Sequence, residues 1–171
     1  MRVGNGADEG VAIGPLVDEK AISKIENQVA DARSKGADVL CGGERLTGST
    51  FSSGYFYSPT LLAGVNDSML IYREETFGPV AAVVPFDDND DVIAMANDTH
   101  YGLAAYVYTK DLARAFRTVE QLNFGIVGVN DINPTSAAAP FGGMQESGLG
   151  REGAREGLQE YLETKLAGFS V

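Results

Sequence analysis

The chain has a single cysteine, Cys41, among its 171 residues, so no internal disulfide framework holds it together. It has one histidine, His100, too few for a His/Cys cluster, and no metal site is expected. No apolar run approaches the roughly 20 residues of a membrane-spanning helix, and no apolar segment follows a basic start. A soluble, cytoplasmic protein without a membrane partner is therefore expected. Positive charge is also scarce: 13 Lys and Arg face 24 Asp and Glu, for a net charge of −11. With the basic residues scattered as well, attraction to phosphate backbones or anionic lipid is opposed, and nucleic acid is not an expected partner.

Apolar residues, at 44% of the chain, suffice for a core of domain size. Between Asp18 and Lys35, the spacing of Ile22, Ile25, Val29 and Ala32 puts them on one helical face, and Gly36 suits the helix end. "DVLCGG" and "YFYSPTLLAGV" read as short strands bounded by glycine, with "LTGSTFSSG" a polar loop between them. After Pro79 the segments "VAAVVPF", "DDVIAMAND", "LAAYVYT", "DLARAFRTVEQL" and "GIVGVN" alternate apolar and amphipathic patterns, which is β-α-β-α-β. Strands joined by helices imply right-handed crossovers and a parallel sheet covered on both faces, so the fold class is α/β. The stretch from Asn130 to Gly150 is a long loop of the kind that is usually functional. The tail "REGLQEYLETKLAGFSV" reads as a helix followed by a strand.

"GLGREG", Gly148 to Gly153, has the spacing of a dinucleotide-binding fingerprint. That motif needs a strand running into its first glycine and an acidic residue closing a second strand about 20 residues on. Here a loop, "PFGGMQES", precedes it and the chain ends too soon, so the glycines are read as turn formers. "GNGADEG" is weaker still, with Pro15 opposing a following helix.

Taken whole, "PFGGMQESGLGRE" and "REETFGPV" resemble the aldehyde dehydrogenase superfamily. "GNGADEGVAIGPL", "GYFYSPTLL", "NDTHYGLAAYVYTKDLARAFR" and "GIVGVN" fall in the order and spacing of that family's C-terminal part, most like its succinate-semialdehyde branch. The resemblance implies a parallel-sheet, three-layer portion of the catalytic domain over 1–150, then the last helix and an oligomerisation strand over 151–171. It implies an NAD(P)-dependent oxidoreductase in which a cysteine thiolate attacks the aldehyde, hydride passes to NAD or NADP, and a glutamate activates water to hydrolyse the thioester. In the family that cysteine, that glutamate and the cofactor domain lie upstream of "GNG". No catalytic residue is therefore expected in this chain, which by itself is expected to be an inactive fragment.

By the same resemblance, Glu75 matches the carboxylate that accepts hydrogen bonds from the nicotinamide ribose, and Phe77 the aromatic beside the nicotinamide. Phe141 matches a wall of the aldehyde tunnel. Thr135 falls where the semialdehyde enzymes place a serine that binds the substrate's distal carboxylate, although "NPTSAAA" departs from the usual sequence there. Glu152 matches a glutamate supporting a buried water network, and a carboxylate at a helix start also offsets the helix dipole. Cys41 matches a strand position without a family role, and His100 a surface turn. The implied partners are a small-molecule aldehyde and further copies of the same chain, as a dimer or tetramer. The alternative is a non-catalytic α/β module that only oligomerises or binds.

Overall fold

The computed structural model describes residues 1–171 and gathers them into two compact units, Met1–Asp88 and Asn89–Val171. The boundary drawn at 150 from the sequence falls inside the second of these.

In the first unit, Asp18 stands extended before α1 (Glu19–Ser34), and its carboxylate accepts from the Ala21 amide at 2.8 Å, filling one of the open donors of the first turn. The predicted stripe is buried: Ile22, Ile25, Val29 and Ala32, joined by Gln28. The chain leaves the helix through Gly36 at φ 97°, a left-handed conformation that glycine adopts without strain. This stripe packs with Tyr57, Leu62, Val65 and Met69 into the core. Leu62 is fully buried, which is worth about 1.5–3 kcal/mol over leaving it in water.

The strands β1 (Asp38–Cys41), β2 (Thr60–Ala63) and β3 (Val80–Ala82) form one sheet in that order. β1 and β2 run antiparallel with an irregularity between Val39 and Cys41, and β2 and β3 run parallel. The short helix α2 (Leu70–Arg73) hangs on α1: Asp31 Oδ2 accepts from the Leu70 amide at 2.8 Å while Oδ1 pairs with Lys35 Nζ at 2.7 Å.

The hydrogen bond from Lys35, then the one from the Leu70 amide, hold the Asp31 carboxyl below its usual range. A carboxyl depressed by folding stabilises the native state above its unfolded value, near 3.9, and that contribution disappears as pH falls through the folded value. Asp31→Asn should therefore melt below the parent chain at neutral pH, and the gap should close as pH is lowered through the acid range. A gap independent of pH, measured by thermal melts, would mean that the charge plays no part.

The second unit contains α3 (Val92–Asn97), β4 (Tyr101–Gly102), β5 (Ala104–Val107), α4 (Leu112–Gln121), β6 (Ile126–Val129), β7 (Met144–Gln145) and α5 (Ala154–Gln159). The β5-α4-β6 crossover is present, with β5 and β6 parallel and in register from Ala104 opposite Ile126 to Val107 opposite Val129. β4 and β7 pair antiparallel.

The α/β rhythm is as the sequence implied, but the continuous parallel sheet is not. Three small sheets form instead, and β3 belongs to the first unit's sheet. Periodicity identifies strands and says nothing of which strand each will pair with. Nor does the expected terminal strand form, since residues 162–171 carry no regular structure. A terminal edge strand is defined by a neighbour's backbone donors and acceptors, and a lone chain supplies none.

In the second unit only Ala115 and Leu122 are buried hydrophobics, while Leu112, Phe116 and Val119 make an exposed stripe along α4. No helix is long and apolar enough to cross a membrane.

Candidate functional site

The segment from Glu74 to Pro79 turns tightly between α2 and β3. Glu74 leaves the helix in extended conformation, its amide donating to the Leu70 carbonyl at 2.9 Å. At the other end the Thr60 amide donates to the Pro79 carbonyl at 2.8 Å, anchoring the turn to β2. Between these anchors Gly78 lies so close to α1 that a Cβ there would run into Ile25 Cδ1. A side chain at position 78 is excluded because Ile25 is itself fully buried and has nowhere to go.

Phe77, just before it, holds φ 47°, a left-handed conformation unusual for a bulky residue. The residue is 83% exposed, so packing within the chain does not account for the conformation. Glu75 is exposed as well. An acceptor-only carboxylate and an uncovered aromatic face thus stand two residues apart on backbone fixed at both ends.

Sequence reading passed over a residue beneath this turn. Gln28, fully buried on the inner stripe of α1, donates through Nε2 to Glu74 Oε2 at 3.3 Å and to the Glu75 carbonyl at 3.5 Å. The signal available was its place three residues after Ile25, a polar side chain at a core position of an otherwise apolar stripe.

In the second unit, Phe141 and Glu152 face each other in an isolated antiparallel bridge, the Phe141 amide donating to the Glu152 carbonyl at 2.8 Å and the Glu152 amide returning the bond at 2.7 Å. One side of Phe141 closes a small cavity of about 20 Å³ that Thr135 also lines, with Ile126 and Pro134. The other side lines a cleft of about 810 Å³ with Leu103, Leu149, Glu152 and Tyr161. Thr135 is exposed, and its hydroxyl donates to Asn133 Oδ1 at 2.7 Å. The fold therefore brings Thr135, Phe141 and Glu152 together in this unit, whereas Glu75 and Phe77 belong to the first. Glu152 is exposed and sits before Gly153, the residue that precedes α5.

The glycines of "GLGREG" carry turns. Gly148, Gly150 and Gly153 take φ values of 129°, 75° and 68°. No strand runs directly into Gly148, because β7 ends at Gln145 and pairs with β4. Arg151 Nη1 instead donates to the carbonyls of Gly143 and Gly150, at 2.8 and 2.7 Å, pinning the loop on itself. A Cβ at Gly125 would strike the Gly142 carbonyl oxygen, so the loop lies directly on the start of β6.

Cys41 is exposed at the end of β1, with Sγ 3.8 Å from the Pro59 carbonyl. That neighbour cannot act as a base. His100 is exposed in the bend before β4, and its carbonyl accepts from the Glu146 amide at 3.0 Å.

Residues 1–167 match the model of the aldehyde dehydrogenase family. The chain is 50% identical over 165 residues to the NADP-dependent succinate-semialdehyde dehydrogenase of Escherichia coli K12, covering 96% of this chain and 33% of that protein. It is 46% identical over 171 residues to a glutarate-semialdehyde dehydrogenase of Pseudomonas putida, covering 100% of this chain and 34% of that one. Among solved structures it superposes on an aldehyde dehydrogenase from Brucella melitensis biovar abortus with TM-score 0.89 and 50% identity, over 96% of this chain and 33% of the other. The NAD+ complex of a betaine aldehyde dehydrogenase from Staphylococcus aureus gives TM-score 0.88 and 40% identity, over 96% and 33%. The chain thus spans about one third of the length of the relatives it matches.

Proposed function

Because the chain belongs to the aldehyde dehydrogenase family, we propose that it forms the C-terminal part of an NAD- or NADP-dependent enzyme that oxidises a semialdehyde, such as succinate semialdehyde, to its carboxylate. The observation that carries this reading is the turn holding Glu75 and Phe77. One charged and one apolar side chain are presented to the outside by a backbone that is tied to α1 and β2 and strained at Phe77, and such strain is kept where a ligand uses it.

The residues suit the cofactor. A carboxylate on fixed backbone accepts from both hydroxyls of a ribose, and an exposed phenyl ring offers an apolar face to a flat heteroaromatic. The dinucleotide, when bound, supplies the acceptor for hydride. The chain's own contribution is position: Glu75 holds the ribose and Phe77 limits the ring's tilt. Phe141 walls the path of the aldehyde, and Thr135 donates to the substrate's distal carboxylate. Glu152, paired backbone to backbone with Phe141, keeps ordered water near that wall. The attacking cysteine and the water-activating glutamate belong to the remaining part of the enzyme. That enzyme assembles as a dimer or tetramer in the cytoplasm, residues 163–171 adding a strand to a neighbour's sheet.

Glu75→Gln in the enzyme that contains this chain is the test. Single-turnover hydride transfer should slow by about tenfold while dinucleotide affinity changes less, because one ribose contact orients the nicotinamide and the rest of the molecule anchors it. Unchanged transfer would reduce Glu75 to a turn residue.

A further inference from the structure

We infer that Gln28 is a positioning residue for the Glu75 turn: its buried amide, reaching across from α1, fixes the backbone from which the Glu75 carboxylate projects. This rests on the reading of Glu75 given above.

Gln28 is fully buried in the apolar stripe of α1. Its Nε2 donates to Glu74 Oε2 and to the Glu75 carbonyl, 46 and 47 residues away in sequence. The amide orientation is set by its partners, because exchanging oxygen and nitrogen would face Oε1 against two acceptors. Meanwhile Oε1 itself is buried and has no partner. An unpaired buried carbonyl destabilises a fold, and an apolar side chain of the same length would avoid the penalty. Stability alone thus argues against glutamine at this position. What glutamine supplies that methionine lacks is a donor directed at the turn. Phe77, two residues beyond Glu75, is exposed.

The experiment is Gln28→Met, read in two ways. In the 171-residue chain, 15N relaxation should show lower order parameters at Glu75, Thr76 and Phe77, with α1 unchanged and the melting temperature equal or higher. In the enzyme containing the chain, kcat for hydride transfer should fall between about twofold and tenfold, the worth of one ordinary hydrogen bond, with KM for the dinucleotide much less affected. Unchanged order parameters would overturn the inference. So would a lowered melting temperature with α1 itself loosened, since Gln28 would then be holding the core. Glu75→Gln run in parallel separates the failures. If it slows transfer and Gln28→Met does not, the positioning role fails and the reading of Glu75 stands. If it leaves transfer unchanged, the reading of Glu75 fails, and the order parameters alone decide whether Gln28 holds the turn.

Discussion

The 171-residue chain alone should oxidise no succinate semialdehyde above blank with either NAD or NADP. Attack on an aldehyde by a thiol requires a base to take the proton and donors to stabilise the oxyanion. The chain's only cysteine, Cys41, has its sulfur beside the Pro59 carbonyl, which can accept a hydrogen bond but cannot carry a proton away. His100 lies in the other unit, in an exposed bend. The expected loss, against an enzyme with nucleophile, base and oxyanion donors in one site, is total. The assay follows reduced cofactor by absorbance at high protein concentration. Turnover that disappears in Cys41→Ser would overturn the expectation and make Cys41 a nucleophile.

Substrate choice should respond to Thr135 in the enzyme that contains this chain. The Thr135 hydroxyl is exposed on the loop between β6 and β7, and at rest it donates to Asn133 Oδ1 at 2.7 Å. It therefore has a donor to redirect, and a semialdehyde's far carboxylate is the stronger acceptor. Thr135→Val keeps the shape and deletes the donor. A lost hydrogen bond to a charged group is worth about 1.5–3 kcal/mol, so kcat/KM toward succinate semialdehyde should fall about tenfold or more. An uncharged aldehyde of similar length never used that donor, and its kcat/KM should hold. Equal losses on both substrates would mean that Thr135 shapes the loop. No loss on either would place the carboxylate elsewhere and remove the semialdehyde preference.

How far the sequence disclosed this arrangement depends on the range over which each feature is encoded. α1 is a local matter: the buried spacing from Ile22 to Ala32 and the left-handed Gly36 are properties of neighbouring residues, and both were legible, while the cap at Asp18 emerged only from the structure. The segments of β1, β2, β3, β5 and β6 and the crossover through α4 were legible too, though not the two-residue strands β4 and β7. Pairing is not local. That β3 would lie beside β2, or that Phe141 and Glu152 would bridge, depends on chain paths that periodicity does not contain. The roles proposed for Glu75, Phe77, Phe141, Thr135 and Glu152 rest on resemblance, because a carboxylate or a phenyl ring in a loop has no pattern of its own. Gln28 was missed for the opposite reason. It keeps the helical period while breaking its polarity, and a search for apolar recurrence steps over a polar residue in register.

The uneven burial of the two units bears on how the chain takes up heat. The first encloses a cluster running from Ile22 to Ile71, and the second buries only Ala115 and Leu122 among its hydrophobics. The heat capacity gained on unfolding tracks the apolar surface newly exposed to water. More of the fully buried apolar residues lie before Asn89, so the first half should contribute the larger share of a calorimetric endotherm of the chain. If the two units unfold separately, van't Hoff and calorimetric enthalpies should differ, and a single free energy of unfolding would not describe the whole.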